Sequence, residues 1–505
     1  MKRIRILATS DVHGTILPTQ YSNGLSVHIG LARLKTLIDS LRDDHTLLVD
    51  NGDAIQGSPL TRHHYHFHAD EINPMTKAMK EMHYDFIGLG NHDFNYGQKA
   101  LQIHLTHVES PCLCANVKKE NVPIGLSYAI KEIDGIQLAF FSLVTSYTPT
   151  WESQEHIEGL EFIDAYESAK KIVEYLQKFE QPDYIICLYH GGFERDLSNG
   201  SLLEEDRGEN QGYRILKEIP GIDVMISGHQ HRSLSGKLFN TVYTQTSDKG
   251  KELALIDIYP ENHHIESHIL PNDMLADEKM IQLVEKEEKE TQTWLDTVVG
   301  HSKVDLTISD TFQARLKKAP LVTFINRIQQ ETTGAQLSSS SIYDGAVGFQ
   351  NKITMRDIVS TYIYDNTLVV KKITGAQLKD YLEQCASYWT LKGNNIEVSQ
   401  NFIYPKKMHY NYDMVEGIDY TIDLRKPIGE RITQLIYHGK DVQKDDEFTI
   451  ALNNYRAAGG GNFDMLKEAP IIQNNGIDFA DLVSSYLEKH PEIDFVPEDN
   501  IHLVK

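Results

Sequence analysis

Ile4-Arg5-Ile6-Leu7-Ala8-Thr9-Ser10-Asp11-Val12-His13-Gly14 is the stretch from which the fold can be read. Ile4–Ala8 is a short, largely apolar run with β-branched residues, the pattern of a buried strand. It runs directly into Asp-x-His, two side chains with metal-ligand chemistry, and then a glycine that lets the backbone turn. The same pattern recurs along the chain. Thr46–Val49 leads to Asp50-Asn51-Gly52-Asp53, and Phe86–Leu89 to Gly90-Asn91-His92-Asp93. Tyr184–Tyr189 leads to His190-Gly191-Gly192, and Val224–Ile226 to Gly228-His229-Gln230-His231. Sites in open α/β sheets form beyond the carboxyl ends of strands, so these five ends are expected to converge. Singly, each is weak: Gly-Asp is usually a turn, and a histidine after a strand is more often a hydrogen-bonded core residue. Five in order, each at a strand end, spell a metal site.

Between the strands lie amphipathic stretches, such as Leu31, Leu34, Leu37, Ile38, Leu41 and Ala169, Ile172, Val173, Leu176, Phe179. Strands alternating with helices make residues 1–272 an α/β domain. At 505 residues the chain exceeds one hydrophobic core. A charged helical stretch, Ala276 to Gly300, carries Met280, Val284, Thr291 and Trp294 roughly on one side and reads as a linker helix within 273–300. Residues 301–505 form a second domain, with helices near Leu321–Ile328 and Leu378–Cys385 and a strand at Glu447–Leu452.

Lys and Arg number 49 against 72 Asp and Glu, a net charge of −23. Such a surface repels a phosphate backbone, which excludes sequence-independent binding of long nucleic acid. It does not exclude small phosphorylated ligands, because a bound cation reverses the sign of one pocket. With 40% hydrophobic and 24% charged residues the chain is of the soluble globular class. Four cysteines give no disulfide framework. The start has early basic residues but no apolar h-region of a signal peptide before Asp11, where the short run reads as the first strand, and no run of about 18 apolar residues follows. A cytoplasmic protein that contacts no membrane is the expectation.

Several motifs lead nowhere. His63-His64-Tyr65-His66-Phe67-His68 lacks Asp or Cys partners until Asp70 and reads as a surface loop or helix start. Gly88-Leu89-Gly90-Asn91-His92-Asp93 lacks the third glycine of a dinucleotide fingerprint. Cys112-Leu113-Cys114 is not a redox C-x-x-C, and there is neither a phosphate-binding G-x-x-x-x-G-K-[ST] loop nor a G-x-S-x-G elbow.

The ordered set D-x-H, G-D, G-N-H-[DE], H-G and G-H-x-H resembles the calcineurin-like metallophosphoesterase signature. The resemblance implies an α/β four-layer αββα sandwich holding two divalent ions. One ion would take Asp11, His13 and His231, the other Asn91, His190 and His229, with Asp53 bridging them. Paired ions clamp both ends of an in-line displacement at phosphorus, and hydroxide on the metals would be the nucleophile. Mixed N/O ligands without thiolate suit Mn, Fe, Co or Zn rather than Ca. By the same resemblance His92 lies over the substrate phosphate and assists the leaving oxygen. Asp93 is the nearest carboxylate in sequence that could orient it.

Tyr362-Ile363-Tyr364-Asp365-Asn366-Thr367-Leu368, Thr374-Gly375-Ala376-Gln377-Leu378 and Asn453-Asn454-Tyr455-Arg456-Ala457-Ala458-Gly459-Gly460-Gly461 resemble the 5′-nucleotidase C-terminal domain. The resemblance implies a second α/β domain that binds the nucleoside and rotates to deliver the phosphate. Tyr364 and Tyr455 would sandwich the base, and Asn366, Asn454, Gly459 and Gly460 would add polar contacts. The 5′-nucleotidases usually read G-N-H-E-F-D, the last Asp pairing with the histidine, whereas this chain has Asn95 there. Ser340-Ser341-Ile342-Tyr343-Asp344-Gly345 also lacks the Arg of their N-x-G-x-R loop. With Tyr410-Asn411-Tyr412-Asp413, these departures resemble the 2′,3′-cyclic-nucleotide 2′-phosphodiesterase/3′-nucleotidase branch. A 5′-nucleotidase of the same fold is the near alternative. A non-catalytic nucleotide-binding protein is the remote one, since such a chain should show eroded ligand positions.

Overall fold

Alternation within the strands decides the layering. The computed structural model describes residues 3–203, 207–362, 366–404 and 406–505, the side chain of Asn475 excepted. Tyr364 therefore lies outside the described residues. The chain divides into two units, Met1–Gln292 and Thr293–Lys505.

In the first unit the sheet strands are β1 Ile4–Thr9, β2 Thr46–Asp50, β3 Phe86–Ile87, β4 Ala129–Ile133, β5 Ile136–Val144 and β6 Tyr184–His190. They continue with β7 Val224–Ser227, β8 Leu234–Leu238, β9 Thr241–Gln245, β10 Glu252–Tyr259 and β11 His264–Pro271. One sheet has the order β11-β10-β1-β2-β3 and the other β8-β9-β7-β6-β5-β4. Their central strands are parallel: Ala8 sits beside Val49, and Tyr189 beside Ser227. Ile4, Ile6 and Ala8 of β1 point into one buried cluster with Phe140, Ile186, Leu188 and Ile226 of the other sheet. Leu7 and Leu48 point the opposite way, onto α1 (Leu31–Leu41), α2 (Pro59–His68) and α3 (Pro74–Met82). Phe141, Leu143 and Cys187 likewise pack on α6 (Ala165–Tyr175) and α7 (Gly212–Glu218), reached after α4 (Gly97–His107) and α5 (Thr148–Trp151). Both faces of both sheets are thus buried, which explains the near-continuous apolar runs and gives the αββα sandwich.

Two expectations are corrected. The stretch expected as one linker helix folds as α8 (Glu278–Leu283) and α9 (Glu285–Leu295), then enters a strand at Val298. Met280 and Val284 join the first unit's core, and Lys77 pairs with Glu287, so these helices pack on that unit rather than standing free. The histidine run, expected as a surface loop or helix start, occupies the body of α2. Ser58 caps that helix through Thr61 N–H, Pro59 opens it, and His63 and His64 are buried.

In the second unit, the largest mixed sheet comprises β12 Leu337–Ser341, β13 Thr367–Thr374, β14 Asp413–Glu416, β15 Glu447–Asn453 and β16 Ile471–Asp478. Its order is β14-β12-β15-β13-β16. Helices Pro320–Thr333, Gly375–Ala386 and Phe479–Lys489 accompany it. The first is buried over Leu321–Asn326, and Thr374 opens the second with a capping box through Gln377.

Candidate active site

The carboxyl ends of β1, β2, β6 and β7, with the turn after β3, bring all seven expected ligand residues together. Asp11 Oδ1 lies 3.3 Å from His231 Nε2, and His231 Nε2 is 3.0 Å from His13 Nε2. Asp53 Oδ2 is 3.1 Å from His190 Nε2 and 3.9 Å from His13 Nε2. Asn91 Oδ1 approaches His229 Nδ1 at 2.8 Å. Donor atoms of Asp11, His13 and His231 converge as one group, and those of Asp11, Asp53 and His190 as another. Asp11 therefore faces both groups, beyond the single bridging role expected for Asp53.

The backbone pays for this convergence in conformation. Asp11, His13, Asp53, His229 and His231 all have φ between 47° and 68°, the left-handed region that a side chain disfavours. The loops also touch. A Cβ on Gly90 would stand 2.2 Å from Asp53 Oδ1, and one on Gly228 would stand 2.7 Å from Asp11 Oδ2. Neither glycine can be replaced without pushing a carboxylate aside.

The donor set fits divalent cations. His190 Nδ1 is engaged by the Asn51 carbonyl at 2.8 Å, so Nδ1 carries the proton and Nε2 is left to face Asp53 Oδ2. Both atoms are buried without a hydrogen-bond partner. An acceptor facing an acceptor needs a cation between them, or a proton on Nε2. Without a metal, burial lowers the His190 pKa but the Asp53 and Asp11 carboxylates outweigh it and bring it to about 10. For His13 burial wins over Asp53 and the pKa falls to about 3, leaving a neutral ring. Burial would raise the Asp53 carboxyl, but His190 and His92 hold it well below the usual range. Imidazole and ionised carboxylate oxygen are the ligands that Mn, Fe, Co and Zn accept.

His92 opens toward the same place, its ring centroid 5.3 Å from that of His13, while its backbone N–H donates to Asp53 Oδ1 at 2.7 Å. The expected role of Asp93 is not what the geometry gives. Its carboxylate accepts N–H bonds from Gly90, Asp53, Ala54 and Ile55 at 2.8–3.1 Å and is spent on shaping the two loops. The partner of His92 Nδ1 is Asn95 Oδ1, at 2.7 Å. Three further neighbours carried no local signal in the sequence. Glu209 Oε1 lies 3.0 Å from His229 Nε2, Trp151 stacks on the His229 ring at 5.4 Å, and Glu152 accepts from Asn95 Nδ2 at 2.6 Å.

In the second unit Tyr455 is half-buried, with Tyr410 edge-on to it at 6.1 Å and Tyr343 stacked beyond at 6.5 Å. Tyr410 is the aromatic neighbour of Tyr455 among the described residues, a pairing 45 positions apart that no spacing rule reveals. Asn366 Nδ2 donates to Tyr343 OH at 3.1 Å. Asn454 Oδ1 accepts from Thr367 N–H at 3.0 Å, so it pins a strand end. Gly459 has φ 89°, and a Cβ on Gly460 would lie 2.5 Å from the Tyr455 ring. Beneath this wall the buried Arg456 guanidinium binds Asp413 at 2.6 Å, and Tyr381 OH donates to the same carboxylate at 2.6 Å. A buried, fully hydrogen-bonded ion pair of this kind fixes the wall rather than offering a charge to a ligand.

Residues 4–233 match the calcineurin-like phosphoesterase family, and residues 298–468 match the 5′-nucleotidase C-terminal domain. With the site geometry, these matches define a hydrolytic metallophosphoesterase, and the chain belongs to the two-domain family that joins these modules. It is 26% identical to the trifunctional nucleotide phosphoesterase protein YfkN of Bacillus subtilis, over 98% of this chain but only 38% of YfkN. It is 25% identical to the 2′,3′-cyclic-nucleotide 2′-phosphodiesterase/3′-nucleotidase of Salmonella typhimurium, over 90% of this chain and 81% of that one. A Staphylococcus aureus protein crystallised with α-ketoglutarate and provisionally named a 5′-nucleotidase superimposes with a TM-score of 0.93 at 31% identity, covering all of both chains. No helix among the described residues is long and apolar enough to cross a membrane.

Proposed function

We propose that the chain opens 2′,3′-cyclic nucleotides and removes the 3′-phosphate, as a 2′,3′-cyclic-nucleotide 2′-phosphodiesterase with 3′-nucleotidase activity. The observation that carries the choice of branch is the partner of His92: Asn95 at 2.7 Å, where the 5′-nucleotidase pattern has a carboxylate. Asp11, His13, Asp53, Asn91, His190, His229 and His231 would hold two divalent ions. Bound there, the ions supply Lewis acidity toward phosphoryl oxygens and lower the pKa of a coordinated water. His92 places a proton at the leaving ribose oxygen, and Asn95 keeps its ring oriented. The base stacks against Tyr455 in the second unit, a contact on the order of 1–3 kcal/mol per base that tolerates different bases.

Turnover of 2′,3′-cyclic AMP, 3′-AMP and 5′-AMP with Mn²⁺, with and without chelator, tests this reading. The cyclic and 3′ substrates should dominate, and chelator should abolish all three. Dominant hydrolysis of 5′-AMP would transfer the chain to the 5′-nucleotidase branch.

A further inference from the structure

The carboxylate missing at position 95 arrives from elsewhere. Asn95 Nδ2 donates to Glu152 Oε2 at 2.6 Å, and the Glu152 side chain is only 6% exposed. Its other oxygen, Oε1, accepts from Ser153 N–H at 2.7 Å and faces His156 Nδ1 at 2.8 Å. Glu152 follows α5 directly, and Trp151, the last residue of that helix, stacks on His229. One short segment thus reaches both the metal-ligand side and the His92 side of the site.

We propose that Glu152 is a positioning residue that fixes the orientation and tautomer of His92 through the Asn95 amide; this rests on the reading that His92 serves the leaving oxygen. An ionised carboxylate only accepts hydrogen bonds, so the amide must turn its NH₂ toward Glu152 and its oxygen toward His92. An acceptor oxygen at Nδ1 requires the proton to be on Nδ1. Nε2 is then the atom that faces the substrate. When the doubly protonated ring gives its Nε2 proton to the leaving oxygen, the neutral product keeps Nδ1–H on Asn95, and the relay needs no rearrangement. Without Glu152 the amide is free to flip. Its NH₂ would then face Nδ1, favouring the opposite tautomer and a rotated ring.

The test compares two leaving groups. A ribose alkoxide needs a proton, whereas nitrophenolate from bis-p-nitrophenyl phosphate leaves without one. The readout is the ratio of kcat on the best nucleotide of the AMP panel to kcat on the aryl diester. His92→Ala should lower this ratio on the order of 100-fold. Glu152→Ala should lower it about ten-fold, a part of the same general-acid contribution, with KM for the nucleotide changing less than about two-fold. Asn95→Asp/Glu152→Ala, which moves the carboxylate onto His92 directly, should restore most of the ratio. If His92→Ala leaves the ratio unchanged, the reading of His92 falls and the proposal with it. If His92→Ala lowers the ratio but Glu152→Ala does not, or the double variant recovers nothing, the proposal alone is overturned. Should Glu152→Ala not fold, Glu152→Gln, which keeps an acceptor but loses the charge, is read on the same ratio and should fall between wild type and His92→Ala; an unchanged ratio overturns the proposal.

Discussion

His92 and its neighbours show how far residue-level reading reaches. Replacing His92 by alanine should cost about 10²- to 10⁴-fold in nucleotide turnover while metal content, read by elemental analysis, stays that of wild type. Loss of metal in that variant would make His92 a structural support instead. The convergence of the seven expected ligand residues was legible because each follows an apolar strand and the topology of α/β sheets gathers strand ends. Asp93 was misread for a physical reason: its carboxylate turns into the loops and finds four backbone N–H groups, away from the His92 ring. Glu152 could not be read at all, because it meets Asn95 across 57 residues of chain. Replacing Asp93 by alanine should orphan those buried N–H groups, and each costs roughly 1–3 kcal/mol when left unpaired. Urea denaturation would register that loss as a lower midpoint, and a midpoint equal to wild type would remove the loop-shaping role.

At the scale of elements, α4 carries a built-in sensitivity to acid. His104 is buried on it, with Thr76 Oγ at 2.8 Å from Nδ1, and burial pushes its pKa down to about 4. An unfolded histidine titrates near 6.5, so between pH 6.5 and 4 the unfolded chain binds the additional proton. Stability contributed by the neutral ring is therefore present above about pH 6.5 and is lost as pH falls through that window, on the order of 3 kcal/mol in all. His104→Gln, which keeps a polar partner for Thr76, should flatten the dependence of the urea midpoint on pH across this range. An unchanged slope would assign it to other groups. The histidine run of α2 belongs to the same scale. Its sequence reads as a surface loop or helix start because histidines are neither strong helix formers nor evidently apolar, and Ser58 with Pro59 is the cap signal that outweighs this.

For the whole molecule, the net charge of −23 and the −2 of Asp11 and Asp53 would repel a phosphate, and two divalent ions would reverse that sign locally. Such ions would also couple to folding. A ligand at 100 times its Kd stabilises the native state of the unit that binds it by about 2.7 kcal/mol. Calorimetry with increasing Mn²⁺ should therefore raise the transition of the 1–292 unit and leave that of 293–505 in place. Asp53→Asn should remove most of that shift. A metal-dependent rise in both transitions would contradict a site confined to the first unit.

The left-handed backbone at Asp11, His13, Asp53, His229 and His231 has a consequence for selection. Each such residue costs on the order of 1–2 kcal/mol, which a glycine at the same place would not. Directed evolution for heat tolerance alone, without an activity screen and with metal withheld, should therefore accumulate glycine or asparagine at these five positions. The hardiest survivors would be the ones that had lost the proposed chemistry, so these five positions are the first that a purely thermal screen would change.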